Sequence, residues 1–222
     1  MRINKFIALA SGMSRRAADA AIAAGRVQVN GKPPQAGQDV TDADIVLVSG
    51  RRLEAPQQSQ TIVFNKPIGV VVSRDGQGSR TIYDILPSTF TRLKPVGRLD
   101  KDSSGLLLLT NNGELAQQLT HPRYQKTKIY EVVLVQPLQA LHRQMISDHG
   151  IQLADGVSKL QLERLHDGND KEWRVTMREG RNRQIRRTFV ALGYQITRLH
   201  RTHFGNYTLG NLPTGEYRDI PA

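Results

Sequence analysis

The spacing of apolar residues changes period along this chain. Ile3, Phe6, Ile7 and Ala10 fall at i, i+3, i+4 and i+7, one face of a helix that Gly12 is suited to end. Ser14 is a good N-cap for a second helix running through Ile22, with Gly25 at its close. Arg26-Val27-Gln28-Val29 alternates as a short strand, Asn30-Gly31 signals a two-residue hairpin, and Ile45 to Val48 is a further strand. Two short helices and small strands predict a compact unit over residues 1–54. Residues 55–60 hold Pro56 and three glutamines with no apolar period, and read as a linker. From residue 61 to 222 the pattern is mostly that of strands: Ile62-Val63-Phe64, Val70-Val71-Val72, the continuous run Leu106 to Leu109, Ile129 to Val135, and Trp173 to Met177. Helical spacing returns only at Glu114 to Leu119, after an Asn111-Asn112-Gly113 turn, and at Arg181 to Leu192, closed by Gly193. Many strands with few scattered helices predict an α+β fold.

Charge narrows the choice of partner. With 31 Lys and Arg against 20 Asp and Glu over 222 residues, the net charge is +11, which favours a polyanion through counterion release. Cysteine is absent, so disulfides, thiolate nucleophiles and cysteine metal sites are excluded. No segment approaches the ~18 consecutive apolar residues of a membrane span, and the amphipathic N-terminus lacks the apolar core of a secretory signal. A soluble cytoplasmic protein is expected. Aromatic residues make up only 5% of the chain, too few for a single-strand binder built on stacking platforms. Phosphate-loop, dinucleotide and nucleophile-elbow motifs are all missing. The histidines are scattered, and the close pair His200 and His203 has no carboxylate in register, so no metal site is expected.

Three clusters could carry chemistry. Gly97-Arg98-Leu99-Asp100 stands just before the apolar run, which places a carboxylate at the mouth of a core with a guanidinium two residues away on the same face. Asp100 could there be a nucleophile, a general base, a metal ligand or a cap; Arg98 could hold it ionised. Asp102, followed by Ser103-Ser104-Gly105, is better suited to shaping a turn. In Lys128-Ile129-Tyr130-Glu131-Val132, alternation puts Lys128 and Tyr130 on one face, where a tyrosine beside a lysine could stack on a base. In Gly180-Arg181-Asn182-Arg183-Gln184-Ile185-Arg186-Arg187, helical spacing buries Ile185 and Phe189 and turns Arg183 and Arg187 outward, suited to phosphates. Arg186 lies on the flank of the buried face and needs a carboxylate partner there; Asp100 is the natural candidate. In the first unit, Arg15, Arg16, Arg26 and Lys32 gather around the second helix and the hairpin.

These clusters closely resemble the motifs of the pseudouridine synthases, in order and in spacing. Gly97-Arg98-Leu99-Asp100…Ser104-Gly105-Leu106 resembles the motif of the catalytic Asp, Lys128 to Val132 that of the active-site Tyr, and Gly180 to Arg187 that of the Arg pairing with the Asp. Leu199 in Arg198-Leu199-His200-Arg201 resembles the apolar residue that packs near the base. The opening Arg-Ile-Asn-Lys-Phe-Ile, the Gly-Met-Ser-Arg-Arg step and Gly-Arg-Val-Gln-Val-Asn-Gly resemble the S4 RNA-binding domain. The small-subunit-type ribosomal RNA branch matches best, and His121-Pro122-Arg123-Tyr124 with Glu179 to Gln184 points to its large-subunit members. The resemblance implies a small S4 domain plus a larger, mainly antiparallel-sheet catalytic domain. It implies isomerisation of uridine in ribosomal RNA, or in a pre-ribosomal particle, by a monomer without cofactor. The target nucleotide would be flipped into a pocket. Asp100 would attack C1′ or take the 2′-proton, Arg186 would keep it ionised, Tyr130 would stack on the uracil, and Arg98 would fill the gap left by the base. Lys128 and Leu199 would line the site. Arg15, Arg16, Arg26, Arg183 and Arg187 would hold phosphates.

Two other classes compete. A non-catalytic RNA-binding or ribosome-assembly protein would use the same basic surface but would not need Asp100. A glycosidase would need two carboxylates flanking one bond, and only Asp102 stands near enough in sequence. Within the synthase reading, small-subunit RNA is the alternative target.

Overall fold

The computed structural model describes residues 1–54 and 59–220. The chain divides into two compact units, Met1–Ser59 and Gln60–Ala222. Residues 55–58 of the expected linker lie outside the described residues.

The N-terminal unit consists of α1 (Ile3–Ser11), α2 (Arg15–Ala23), β1 (Val27–Val29), β2 (Val46–Val48) and β3 (Arg51–Arg52). Its caps follow the sequence. Gly12 takes the left-handed conformation (φ 78°) that ends α1, and the Ser14 hydroxyl accepts the Ala17 N–H at 3.0 Å to start α2. Ile3, Phe6, Ile7, Ala18 and Ala21 meet Val27, Val29 and Val46 in one small core. Asn30-Gly31 makes the expected tight turn, but the strand does not return from it. Only Val29 and Lys32 bridge, and β1 pairs with β2 instead. Pro33 and Pro34 follow at once; with no N–H to donate, neither can continue a ladder.

The second unit is built on a sheet of nine strands. Its elements are β4 (Thr61–Lys66), β5 (Lys94–Val96), β6 (Ser104–Thr110), α3 (Gly113–Thr120), β7 (Lys128–Leu134), α4 (Ala140–Gln144), β8 (Ile151–Leu153), β9 (Gly156–Ser158), β10 (Gln161–Arg164), β11 (Glu172–Met177), α5 (Gln184–Val190), β12 (Ile196–Phe204), β13 (Tyr207–Thr208) and β14 (Tyr217–Ile220). The main order is β10-β11-β7-β12-β6-β4-β14, with β5 also on β6 and β13 on β12, while β8 and β9 form a separate hairpin. Every pairing is antiparallel except β12 with β6. At β4 and β6 both faces are covered. Ile62, Phe64, Leu107 and Leu109 enter one core, and Val63, Leu106 and Leu108 enter the other, which explains the unbroken apolar runs there.

Two expected elements differ. Val70 and Val72 are buried as apolar side chains should be, yet the segment makes only one bridge, Val71 to Thr81, before the chain bends through Ser73 to Gly78. The helix expected from Arg181 begins at Gln184, because Arg183 adopts φ 46°, ψ 30° and the backbone before it is engaged elsewhere.

Candidate active site

Asp100 lies in the turn that links β5 to β6, anchored by buried Leu99 and Ser103. Each main-chain carbonyl of this turn has a donor. The Ser103 N–H closes on the Asp100 carbonyl (3.1 Å) and the Gly69 N–H on Lys101 (2.8 Å). Arg186 Nη2 donates to the Asp102 carbonyl (2.8 Å) and Lys66 Nζ to that of Ser103 (2.7 Å). Four partners on one four-residue turn leave its backbone little freedom, so the carboxylate it carries is preorganised. The Asp100 side chain is 33% exposed, and Arg183 Nη1 stands 3.9 Å from its Oδ2 and 3.7 Å from the Asp102 carboxylate.

The turn opens onto a cleft of about 1290 Å³. Arg98, Asp100, Lys128, Tyr130, Arg183 and Leu199 are among the residues lining it, so six of the eleven expected site residues share one cavity. Tyr130 is buried on the inward face of β7; Lys128, two residues earlier, is half-buried and donates to the Glu179 carbonyl at 3.1 Å. Burial, then the nearby Arg201 charge, lowers the Lys128 pKa below the usual lysine range. Burial lowers that of Arg186 too, followed by the charge of Arg183, with Asp102 and Asp100 opposing. Arg98 is exposed at the rim.

A carboxylate on a braced turn, facing a cleft lined by an inward tyrosine and several cations, is the setting for chemistry on a polyanion. The family model "RNA pseudouridylate synthase" matches residues 60–191, and the S4 domain model matches residues 1–46. The chain belongs to the RNA pseudouridylate synthase family. It is 36% identical over 227 residues to the ribosomal large subunit pseudouridine synthase B of Bacillus subtilis, covering 99% of this chain and 91% of that protein. It is also 36% identical to the dual-specificity RNA pseudouridine synthase RluF of Salmonella typhi, covering 99% and 75%. A solved pseudouridylate synthase aligns over 100% of this chain and 96% of its own, with a TM-score of 0.70 and 32% identity.

Two expectations about the arginines of this pseudouridylate synthase are corrected. Arg186 does not form the ion pair with Asp100; it holds the backbone of the turn instead, reaching also Ser103 Oγ (3.5 Å) and the Ile196 carbonyl (3.4 Å). The contact with the carboxylate comes from Arg183, because the late start of α5 swings that side chain over the turn. Arg187 does not face outward for phosphates. It is held in a bidentate pair by Asp155, Nη1 to Oδ1 at 3.0 Å and Nη2 to Oδ2 at 2.7 Å. In the N-terminal unit Arg15, Arg16 and Arg26 are exposed, as a phosphate-binding face requires.

Sequence reasoning missed two cations of the synthase. Lys66 is fully buried, with Nζ between the Pro67 and Ser103 carbonyls, and burial lowers its pKa to about 8 against the opposing charges of Asp100 and Asp102. Arg201 is 2% exposed; Nε donates to the Leu106 carbonyl (2.8 Å), Nη1 to the Tyr130 hydroxyl (3.5 Å), and the guanidinium lies 4.9 Å from the centroid of the Phe204 ring. Strand parity carried the signal in both cases. Lys66 follows Ile62 and Phe64 at steps of two, and Arg201 follows Leu199. Among the described residues, no group of three or more His, Asp or Glu is placed to hold a metal ion, and no helix is long and apolar enough to cross a membrane.

Proposed function

We propose that this synthase isomerises uridine to pseudouridine in large-subunit ribosomal RNA, with Asp100 as the reacting carboxylate. The single observation that carries the assignment to Asp100 is the fully engaged turn that presents it to the cleft with Arg183 beside it. The likeness to the ribosomal large subunit pseudouridine synthase B of Bacillus subtilis, 91% of whose length aligns with this chain, supports the choice of RNA. A uridine flipped into the cleft brings its sugar to Asp100. The carboxylate attacks C1′ or takes the 2′-proton, and the C1′–N1 bond breaks with its electron pair passing to the uracil. The uracil turns and C5 bonds to C1′ as the carboxylate leaves C1′, or as the proton returns to C2′. The C5 proton then leaves to solvent, N1 takes one up, and the net change is an isomerisation. Tyr130 stacks on the uracil, Leu199 packs against it, Lys128 faces the bound nucleotide, and Arg98 enters the space the base vacates. Arg183 stands beside the Asp100 carboxylate, and Arg186 with Lys66 keeps its turn in place. Arg15, Arg16 and Arg26 hold backbone phosphates and set affinity more than base choice.

Tritium release tests this directly. In vitro transcripts of large- and small-subunit ribosomal RNA, labelled at C5 of uridine, are incubated with the purified protein. Release from the large-subunit transcript, abolished by Asp100→Asn, is expected. Release from neither transcript, nor from rRNA isolated from a strain lacking the gene, overturns the reading in favour of a non-catalytic binder.

A further inference from the structure

The start of α5 is fastened to the β8–β9 hairpin by one acid. Asp155, in the hairpin turn, receives the bidentate pair from Arg187 and a third bond from Arg181 Nη1 (3.1 Å to Oδ1). Arg181 adds bonds to the carbonyls of Asp155 (2.8 Å), Gly156 (3.0 Å) and Val157 (2.9 Å), wrapping the turn. Arg187 Nε reaches back to the Asn182 carbonyl (2.9 Å). Further along, Ser158 accepts from the Gln184 amide (3.0 Å) and the Thr188 hydroxyl (2.7 Å). Residues 181, 182 and 187 are thereby fixed on both sides of Arg183. Arg183 is a non-glycine residue at φ 46° and carries no side-chain cap, a conformation that persists only where its surroundings impose it. Arg183 is also the cation in contact with Asp100. Those bonds keep the Asp155 carboxyl below the usual carboxylate range, the Arg187 bond first.

We propose that Asp155 is a positioning residue for the reaction: it withdraws Arg181 and Arg187 from the RNA and uses them as struts that hold Arg183 over the Asp100 turn. The inference rests on the assignment of Asp100 as the reacting group. It gives Asp155 a signature that ordinary structural support lacks. An asparagine at this position offers one acceptor oxygen in place of a charged pair, so Arg187 is released as a free cation beside the cleft. RNA affinity then rises while catalysis falls.

The test uses the full-length protein and in vitro transcripts of large-subunit ribosomal RNA, with single-turnover tritium release and filter binding across a salt series. For Asp155→Asn the rate at saturating enzyme is expected to fall about tenfold through misplacement of Arg183. Binding is expected to tighten about threefold, and the slope of log K against log salt to steepen by about 1. Arg187→Gln removes the strut without freeing a cation, so its rate is expected to fall similarly with no gain in affinity. A wild-type rate in Asp155→Asn overturns the proposal. So does a loss of rate and affinity together that tracks a lowered Tm, the mark of a merely structural acid. If the wild-type protein releases no tritium, it is the assigned function that fails, and the two results are read apart.

Discussion

Arg15, Arg16 and Arg26 of the N-terminal unit stand in solvent, whereas Lys66 and Arg201 of the second unit are sealed inside it. The first kind of cation is hydrated, screened by salt and free to exchange partners, so it sets how firmly a polyanion is held. The second kind is desolvated and bonded to main-chain carbonyls, so it sets where backbone and tyrosine stand. On the proposed function, one chain uses the same charge for grip in one unit and for geometry in the other. Arg187, 32% exposed and held by the Asp155 carboxylate, stands between the two kinds.

That contrast can be broken at several points. The largest effect is expected from Asp100→Asn, which removes the reacting group while leaving both sets of cations. Tritium release falls on the order of 10⁴-fold or more, and RNA retention on a filter stays within about twofold; a variant that retains a tenth of the activity refutes the assignment. Gly105→Ala tests the close contact beneath the site. Gly105 has φ 104°, and an added Cβ would lie 2.3 Å from the Arg201 carbonyl oxygen and 2.6 Å from its nitrogen, so β6 and β12 must part. Urea denaturation is expected to show a loss of about 4 kcal/mol.

Lys66 supplies a pH test of the buried class. Its folded pKa of about 8 lies below the ordinary value of 10.5. Below about pH 8 both states hold the proton and the desolvation penalty is fully present. Between about 8 and 10.5 the unfolded chain keeps a proton the folded chain has released, so the contribution of Lys66 to stability rises with pH, on the order of 3 kcal/mol in all. The Lys66→Met curve is expected to lack that rise, so the difference between the two stability curves grows by it across this range; parallel curves would show that the ammonium is not desolvated.

The exposed class gives smaller effects. Replacing Arg15, Arg16 and Arg26 together by Gln is expected to raise KM about tenfold and flatten the salt slope by about 2, with kcat within twofold of wild type. An unchanged salt slope would remove these residues from the RNA interface. Ser14→Ala removes only the cap of the helix bearing Arg15 and Arg16, and is expected to lower stability by about 1 kcal/mol, read from thermal unfolding.

Legibility in the sequence followed the same division. Features decided by near neighbours could be read directly: the Gly12 end of α1, the Ser14 cap, and the Asn111-Asn112-Gly113 turn that leads into α3. Burial on both sheet faces was readable in Leu106 to Leu109. The order of the chemical motifs could be read because each is short. What escaped depends on distant partners. Arg187 meets Asp155 from 32 positions away and Arg201 meets Leu106 from 95; strand parity marks Arg201 as inward, but no local period names either partner. The late start of α5 escaped for the same reason: its first turn was displaced by the hairpin contact of Arg181, not by any breaker in its own sequence. The interrupted strand after Asn30-Gly31 was the exception, since Pro33 and Pro34 stood in plain view.

The parallel strand pairing, Ser104 and Gly105 of β6 beside His200 and Arg201 of β12, bears on the life of the chain during synthesis. Everything upstream, Asp100 included, leaves the ribosome well before the strand that must lie alongside it. Until about residue 204 has emerged, no floor exists beneath the acid and Tyr130 has no guanidinium at its hydroxyl. An unfinished copy, however well its N-terminal unit has folded and however firmly it clings to nucleic acid, is unarmed.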